Sequence, residues 1–162
     1  VAVLDGRESD EELRGLEEDI SAYSGLGCRS VSLIFAPEGH RPRLHTQVPR
    51  CTKLYNNLRS ELALRRMQGA DHEPCGGFIL CPSDDFPTTL SVISIAEYQE
   101  LSDVERWLKL NGHRIQCVVS HIKSLGTALP FGSVIPFGKA QYPTLSDYAD
   151  GIDTMQWLRG ME

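Results

Sequence analysis

The sequence is short of positive charge, of long apolar runs and of paired cysteines, and each shortage removes a class of protein. Sixteen Lys and Arg stand against 22 Asp and Glu, a formal net charge of −6. No broad basic footprint is therefore offered to DNA, RNA or an anionic lipid surface. The apolar runs fall far short of the ~20 residues that a membrane-crossing helix needs. No charged, apolar, small-residue progression of a signal peptide opens the chain either. The expectation is a cytoplasmic protein with no membrane span and no nucleic-acid partner. The five cysteines, Cys28, Cys51, Cys75, Cys81 and Cys117, are odd in number, irregularly spaced and nowhere C-x-x-C. A disulfide scaffold is thereby disfavoured and a reducing compartment expected. His40, His45, His72, His113 and His121 show no zinc-finger or zincin spacing. No G-x-G-x-x-G or Walker sequence occurs, so a nucleotide would need a domain that this chain lacks. Internal repeats, low-complexity stretches and linkers are missing too.

What is present suits one ordinary domain. The 162 residues are 41% hydrophobic and 23% charged, and a chain of this length can remove roughly 70% of its unfolded surface from water. An apolar strand is predicted over 1–4. Ser9 and Glu12 form a capping box for a helix over 10–23, with Leu13, Leu16, Ile20 and Tyr23 inward and Glu11, Glu17, Glu18 and Asp19 on other faces. Gly25 and Gly27 end that helix, and a strand follows over 31–36. Pro42 and Pro49 mark 40–49 as a loop or extended connection. A helix is predicted over 53–68, with Leu54, Leu58, Leu62, Leu64 and Met67 on its apolar side and Arg59, Arg65 and Arg66 solvated. After a loop over 71–77, strands are predicted over 78–81 and 90–96. Ser102 and Glu105 offer a second capping box, for a helix stopped by Gly112. A strand over 115–120 completes a βαβ pattern, and a short strand at 134–135 and a helix over 152–159 close the chain. The predicted fold is one α/β domain, a mostly parallel sheet with flanking helices.

Chemistry concentrates in Gly25-Leu26-Gly27-Cys28-Arg29-Ser30, which sets a thiol between a glycine-rich bend and a strand. Glycines let a substrate approach the backbone and leave amide N–H groups free to stabilise an oxyanion. The preceding helix end opposes a thiolate through its partial negative charge, which Arg29 or backbone amides would have to offset. A buried, inert thiol is the competing reading of Cys28. Cys81 and Cys117 sit among strand residues and read as core, and Cys51 and Cys75 as loop thiols. His113 and His121 flank the last clear strand as bases or as structural histidines. Acidic residues cluster at Asp84-Asp85 and at Asp147, Asp150 and Asp153; turn and cap roles explain Asp84, Asp85 and Asp147, and no metal site is expected. Tyr55-Asn56-Asn57 and Gly151 suggest local hydrogen bonding.

Taken in order, ESDEEL, DISAYSGLGCRSVSLIFAPEG, KLYNN, SVISIAEYQ, RIQCVVS and PFGKAQYPTLSDYADGIDT resemble the C-terminal part of bacterial acyl-CoA reductases. These are relatives of the fatty-acid reductase of bioluminescence, within the aldehyde dehydrogenase superfamily. The similarity runs across almost the whole chain, and GLGCRSVS and DYADGIDT are its most specific pieces. It implies an aldehyde-dehydrogenase-like catalytic domain in which Cys28 attacks an acyl-CoA thioester and the acyl-enzyme is reduced by NADPH to an aldehyde. Gly27, Arg29 and Ser30 become the support around the nucleophile. The superfamily pairs the nucleophile's own amide with an Asn side chain that here would lie before Val1. The family's nucleotide-binding domain precedes its cysteine, and the stretch before Cys28 is too short to be one. The whole of 1–162 is accordingly expected to be a C-terminal catalytic fragment, inactive alone, with NADPH held mainly by the missing domain. A homo-oligomer is left open. The Asp84-Asp85 surroundings do not match the family's cofactor motif, and no cofactor role is carried onto them. Two rival readings stand beside this one: a cysteine-dependent acyltransferase or thioesterase without nicotinamide, and a non-catalytic structural or interaction domain.

Overall fold

Strands of a parallel sheet buried on both faces are near-continuous apolar runs, and the short runs of this chain assemble in that way. The structure, a computed structural model, describes residues 1–129, 134–145, 147–148 and 152–160. It contains β1 (Ala2–Val3), β2 (Leu33–Pro37), β3 (Glu73–Pro74), β4 (Ile79–Pro82) and β5 (Val92–Tyr98). They form one sheet in the order β1-β2-β5-β4-β3, parallel except for the antiparallel pair β3 and β4. The predicted α/β class and mostly parallel sheet are therefore present. β3 lies inside the segment read as loop; with two exposed residues it carries too little pattern to stand out.

The helices are α1 (Asp10–Ser21), α2 (Thr52–Gln68), α3 (Leu101–Asn111) and α4 (Thr154–Arg159). Alternation along the strands divides the core. Ala2, Leu4, Ile34, Ala36, Leu80, Ile93 and Ile95 pack with Leu16 and Ile20 of α1. Val3, Leu33, Phe35 and Ala96 face the other way, onto Val104 and Leu108 of α3. On that second face, Ile79, Cys81 and Val92 pack with Leu58 of α2. The sheet is thus covered on both sides, as a parallel sheet requires. Among the described residues no helix is long and apolar enough to cross a membrane.

Several local expectations are corrected. Asp19, assigned to the outer faces of α1, is 1% exposed; its carboxylate accepts the amides of Gly138 (2.7 Å) and Ala140 (2.9 Å). On α2 only Leu58 is buried, while Leu64 and Met67 are exposed, because one narrow stripe meets the sheet. The Ser102–Glu105 capping box does not form: α3 starts two residues earlier than that box would set it, Glu100 is its N-cap, and no side chain caps it. Gly112 does not stop the helix by a left-handed turn; it has φ −53° and leads into a 3-10 turn over Gly112–Arg114. The segment 115–120 is held by the sheet at one position, Val119, which bridges Ala2 on one side and Ile135 on the other, both parallel. The chain therefore crosses from β5 over α3 to the far side of β1. By contrast the capping box at Ser9 forms in both directions, Glu12 N to Ser9 Oγ at 3.2 Å and Ser9 N to Glu12 Oε2 at 2.8 Å.

Candidate functional site

Cys28 owes its position to the way α1 ends. The helix stops at Ser21, and a 3-10 turn over Ala22–Gly25 reverses the chain through three left-handed residues, Tyr23 (φ 53°), Ser24 (φ 60°) and Gly25 (φ 71°). A Cβ on Gly25 would lie 2.7 Å from the Phe78 ring, so glycine is required there by conformation and by space. Replacing Gly25 by alanine is expected to destabilise the chain by about 2 kcal/mol or more, seen as a lower urea midpoint; an unchanged midpoint would mean the bend relaxes freely. The next turn, Gly27 to Ser30, is closed by Ser30 N donating to Gly27 O at 2.9 Å. Cys28 and Arg29 are its two central residues, and Cys28 is exposed.

The negative end of α1 is largely spent before it reaches this turn. The Glu17 carbonyl accepts Ser21 Oγ, the Glu18 carbonyl accepts Ala22 N, and the Asp19 carbonyl accepts Val31 N. Carbonyls satisfied in this way contribute less to the partial charge at a helix end. Ser30 is a pin for the turn: its hydroxyl donates to Ala22 O at 3.4 Å and receives Gln141 Nε2 at 3.3 Å. Gly27 is packed against the same pair, its missing Cβ being 3.1 Å from Ser30 Oγ.

Around Cys28 lies a pocket of about 200 Å³, walled by Gly27, Arg29, Ser30, Ser32, Arg114, Gln116 and Cys117. It sits at the amino ends of the parallel strands, since Val1, Ser32 and Cys117 precede the paired residues of their segments. Arg114 and Gln116 were missed by sequence reasoning because they enter from the far end of the β5–α3 crossover. Arg114 is tied down by Asp85 Oδ1 at 2.8 Å and by the Phe86 ring at 4.9 Å. Behind the turn, Cys117 is buried and its Sγ points to Arg29 O at 3.7 Å; burial pushes its thiol up. Among the described residues the Cys28 amide has no hydrogen-bond partner.

The five thiols thus separate. Cys75, Cys81 and Cys117 are buried, and desolvation raises all three, Cys75 to about 11. Cys51 is exposed at the N-cap of α2, where the amides of Leu54 and Lys53 lower its thiol, but no described pocket surrounds it. Cys28 is exposed and lines a pocket.

The other candidates are dispersed. Asp85 caps Phe86 N and pairs with Arg114, Asp147 accepts Thr144 N at 2.7 Å, and Asp153 caps α4 at Gln156 N. For Asp85 and Asp147 these are the turn and cap roles expected. Asp84 lines a separate cavity of about 430 Å³ with Glu38, Glu97 and Trp107. Asp150 and Gly151 lie outside the described residues. Asn57 donates to Leu90 O at 2.9 Å, a tie to a residue 33 positions away and not the local one expected. His113 is exposed. His121 stands between Asp5 and Glu12 at the opposite, carboxyl edge of the sheet. No family model matches this chain and no curated protein matches it.

Proposed function

We propose that this chain is the thiol-nucleophile part of an acyl-CoA reductase with an aldehyde-dehydrogenase-like catalytic domain, and that Cys28 accepts the acyl group. The observation that carries the reading is the placement of Cys28: exposed, central in a β-turn, with its own amide unpartnered among the described residues and a polar pocket around it. The resemblance in GLGCRSVS supports it from the sequence side. In the proposed step the Cys28 thiol gives its proton to water, the thiolate sulfur attacks the thioester carbonyl carbon, and the bond between that carbon and the CoA sulfur breaks. CoA departs as a thiolate, which takes a proton from water. The carbonyl oxygen carries the negative charge in between, and the Cys28 N–H is a donor available to it. Arg29 beside the thiol adds positive charge for a substrate bearing phosphates.

The pocket around Cys28 does not fit a dinucleotide. A pocket of about 200 Å³ is below the ~300–1,000 Å³ of ordinary ligand sites, and no glycine-rich phosphate loop is present. NADPH, which would supply hydride, is accordingly assigned to sequence outside this chain, as are the further oxyanion donor and the full CoA site. Cytoplasmic location and a homo-oligomeric assembly remain part of the proposal.

The test is acyl transfer. Incubation with a panel of acyl-CoA esters should add one acyl mass to the peptide carrying Cys28, labile to hydroxylamine, with one CoA thiol released. The exposed, acidified Cys51 is the internal control. Acylation on Cys51 instead would overturn the assignment. Absence of any acyl-enzyme would favour a non-catalytic interaction domain.

A further inference from the structure

The carboxyl ends of parallel strands are where open α/β sheets most often hold ligands, and here that edge gathers a compact donor set. Asp5 lies two residues past β1, Glu8 lies in the loop before α1, and His121 follows the Val119 bridge. Their ligand atoms all lie within 4.8 Å of one another. His121 Nε2 is 3.0 Å from Asp5 Oδ1, and His121 Nδ1 is 2.8 Å from Glu12 Oε1. We propose that Asp5, Glu8 and His121 Nε2 form a binding site for a divalent first-row transition ion of the Mn²⁺ or Fe²⁺ kind, with Glu12 as the residue that orients the imidazole.

Four features carry this. First, the donor set is one imidazole and two carboxylates, which suits ions of that kind rather than the thiolate-loving ones. Second, a metal-bound histidine typically passes its other ring N–H to a carboxylate, which fixes the tautomer and leaves the ligating nitrogen's lone pair free. Glu12 stands in that position, itself fixed through Ser9 N at 2.8 Å. Phe137 packs edge-on against the His121 ring with centroids 6.1 Å apart, which further limits its rotation. Third, the Glu8 side chain is 2% exposed, and its two oxygens are aimed by the amides of Asp5 and Gly6. Fourth, the cluster is rich in negative charge. Asp5, Glu8 and Glu12 converge on one imidazole, with His40 Nε2 3.8 Å from Glu8 and Arg7 acting on Asp5 from the rim. The ion would take the place of the Nε2 proton. Asp5 and His121 keep about a third of their side-chain surface open (30% and 32%), which leaves coordination positions for water or a small anionic ligand. Donors each about 2.1 Å from an ion lie at most about 4.2 Å apart, so small side-chain rotations suffice to close the site.

Mn²⁺ is the probe, because the five cysteines compete poorly for it. Electron paramagnetic resonance should show one tightly bound Mn²⁺ per chain, with nitrogen coupling from a single imidazole. His121→Gln and Asp5→Asn should each weaken binding by about 100-fold or more, and Glu12→Gln by about 10-fold, with circular dichroism reporting retained folding. Failure to bind Mn²⁺ in the millimolar range, bound Mn²⁺ without nitrogen coupling, or unchanged affinity in His121→Gln would each overturn the proposal. Should the variants not fold, the nitrogen coupling in the unaltered chain decides it. Because Cys28 is at the opposite edge of the sheet, neither result depends on the acyl-transfer reading.

Discussion

Replacing Asp19 by alanine is expected to lower the free energy of unfolding by about 4 kcal/mol, a large share of the roughly 5–15 kcal/mol that an ordinary domain possesses. The carboxylate is 1% exposed and is the acceptor for the amides of Gly138 and Ala140. Truncation leaves two buried N–H groups without partners, each costing about 1–3 kcal/mol. It also releases the 136–140 segment from α1, where Gly15 and Gly138 are so close that a Cβ on Gly15 would lie 2.8 Å from Gly138 N. The Gly27–Ser30 turn that carries Cys28 leans on the same segment through Gln141. Urea unfolding should therefore show a lower midpoint with an unchanged slope, and the Cys28 thiol should react less uniformly with an alkylating reagent. A loss within experimental error would show that the two amides find other partners.

The same carboxylate gives a pH dependence of definite sign. Desolvation raises the Asp19 pKa and outweighs the two amide hydrogen bonds that lower it. The group is thus protonated in the folded chain at a pH where the unfolded chain has already ionised. In that interval the unfolded state binds fewer protons, so stability falls as pH rises from about 4 through the folded-state value. Asp19→Asn should be less stable overall, since its amide nitrogen cannot accept an N–H. It should also lack this decline.

How far the fold could be read from the sequence depended on how local each determinant was. The Ser9–Glu12 capping box, the apolar run of β2 and the β-branched run of β5 are specified within a few residues, and they form as expected. The Ser102–Glu105 pair has the same pattern, but α3 begins at Leu101 and places Ser102 inside the helix. Periodicity on α2 overstated the buried side because one stripe meets the sheet and nothing described covers Leu64 or Met67. Asp19 did carry a legible signal: three residues after Leu16 and one before Ile20, it falls on the apolar stripe of α1. Its partners, 119 and 121 positions away, did not. The same distance hid the site walls. Cys28, Gly27, Arg29 and Ser30 are contiguous and could be named together, whereas Arg114 and Gln116 join them only because α3 carries the chain across the sheet to β1. Asp5 and His121 likewise meet only once that crossing is made.

On the proposed reading, Cys28→Ser should reduce acyl-CoA-dependent NADPH oxidation by about 10³-fold or more in a protein that joins this chain to a nucleotide-binding domain. A serine hydroxyl is a far poorer nucleophile toward a thioester at neutral pH, and an oxyester, once formed, expels a poorer leaving group than a thioester does. The Gly27–Ser30 turn does not depend on the sulfur, because it is closed by backbone and by Ser30. The loss should therefore come without a shift in thermal unfolding, which separates chemistry from folding. Cys51→Ser should leave the rate within about 2-fold, even though the Cys51 thiol is exposed and lowered by the amides at the start of α2. Reactivity toward alkylating reagents at Cys51 would follow that acidity and is separate from acyl transfer. Stoichiometry then separates the enzyme classes. A reductase releases one CoA for each NADPH oxidised, whereas a thioesterase or acyltransferase releases CoA with no NADPH oxidised and loses that release in Cys28→Ser. Full NADPH oxidation by Cys28→Ser would remove Cys28 as the acyl acceptor and, with it, the reductase reading of this fold.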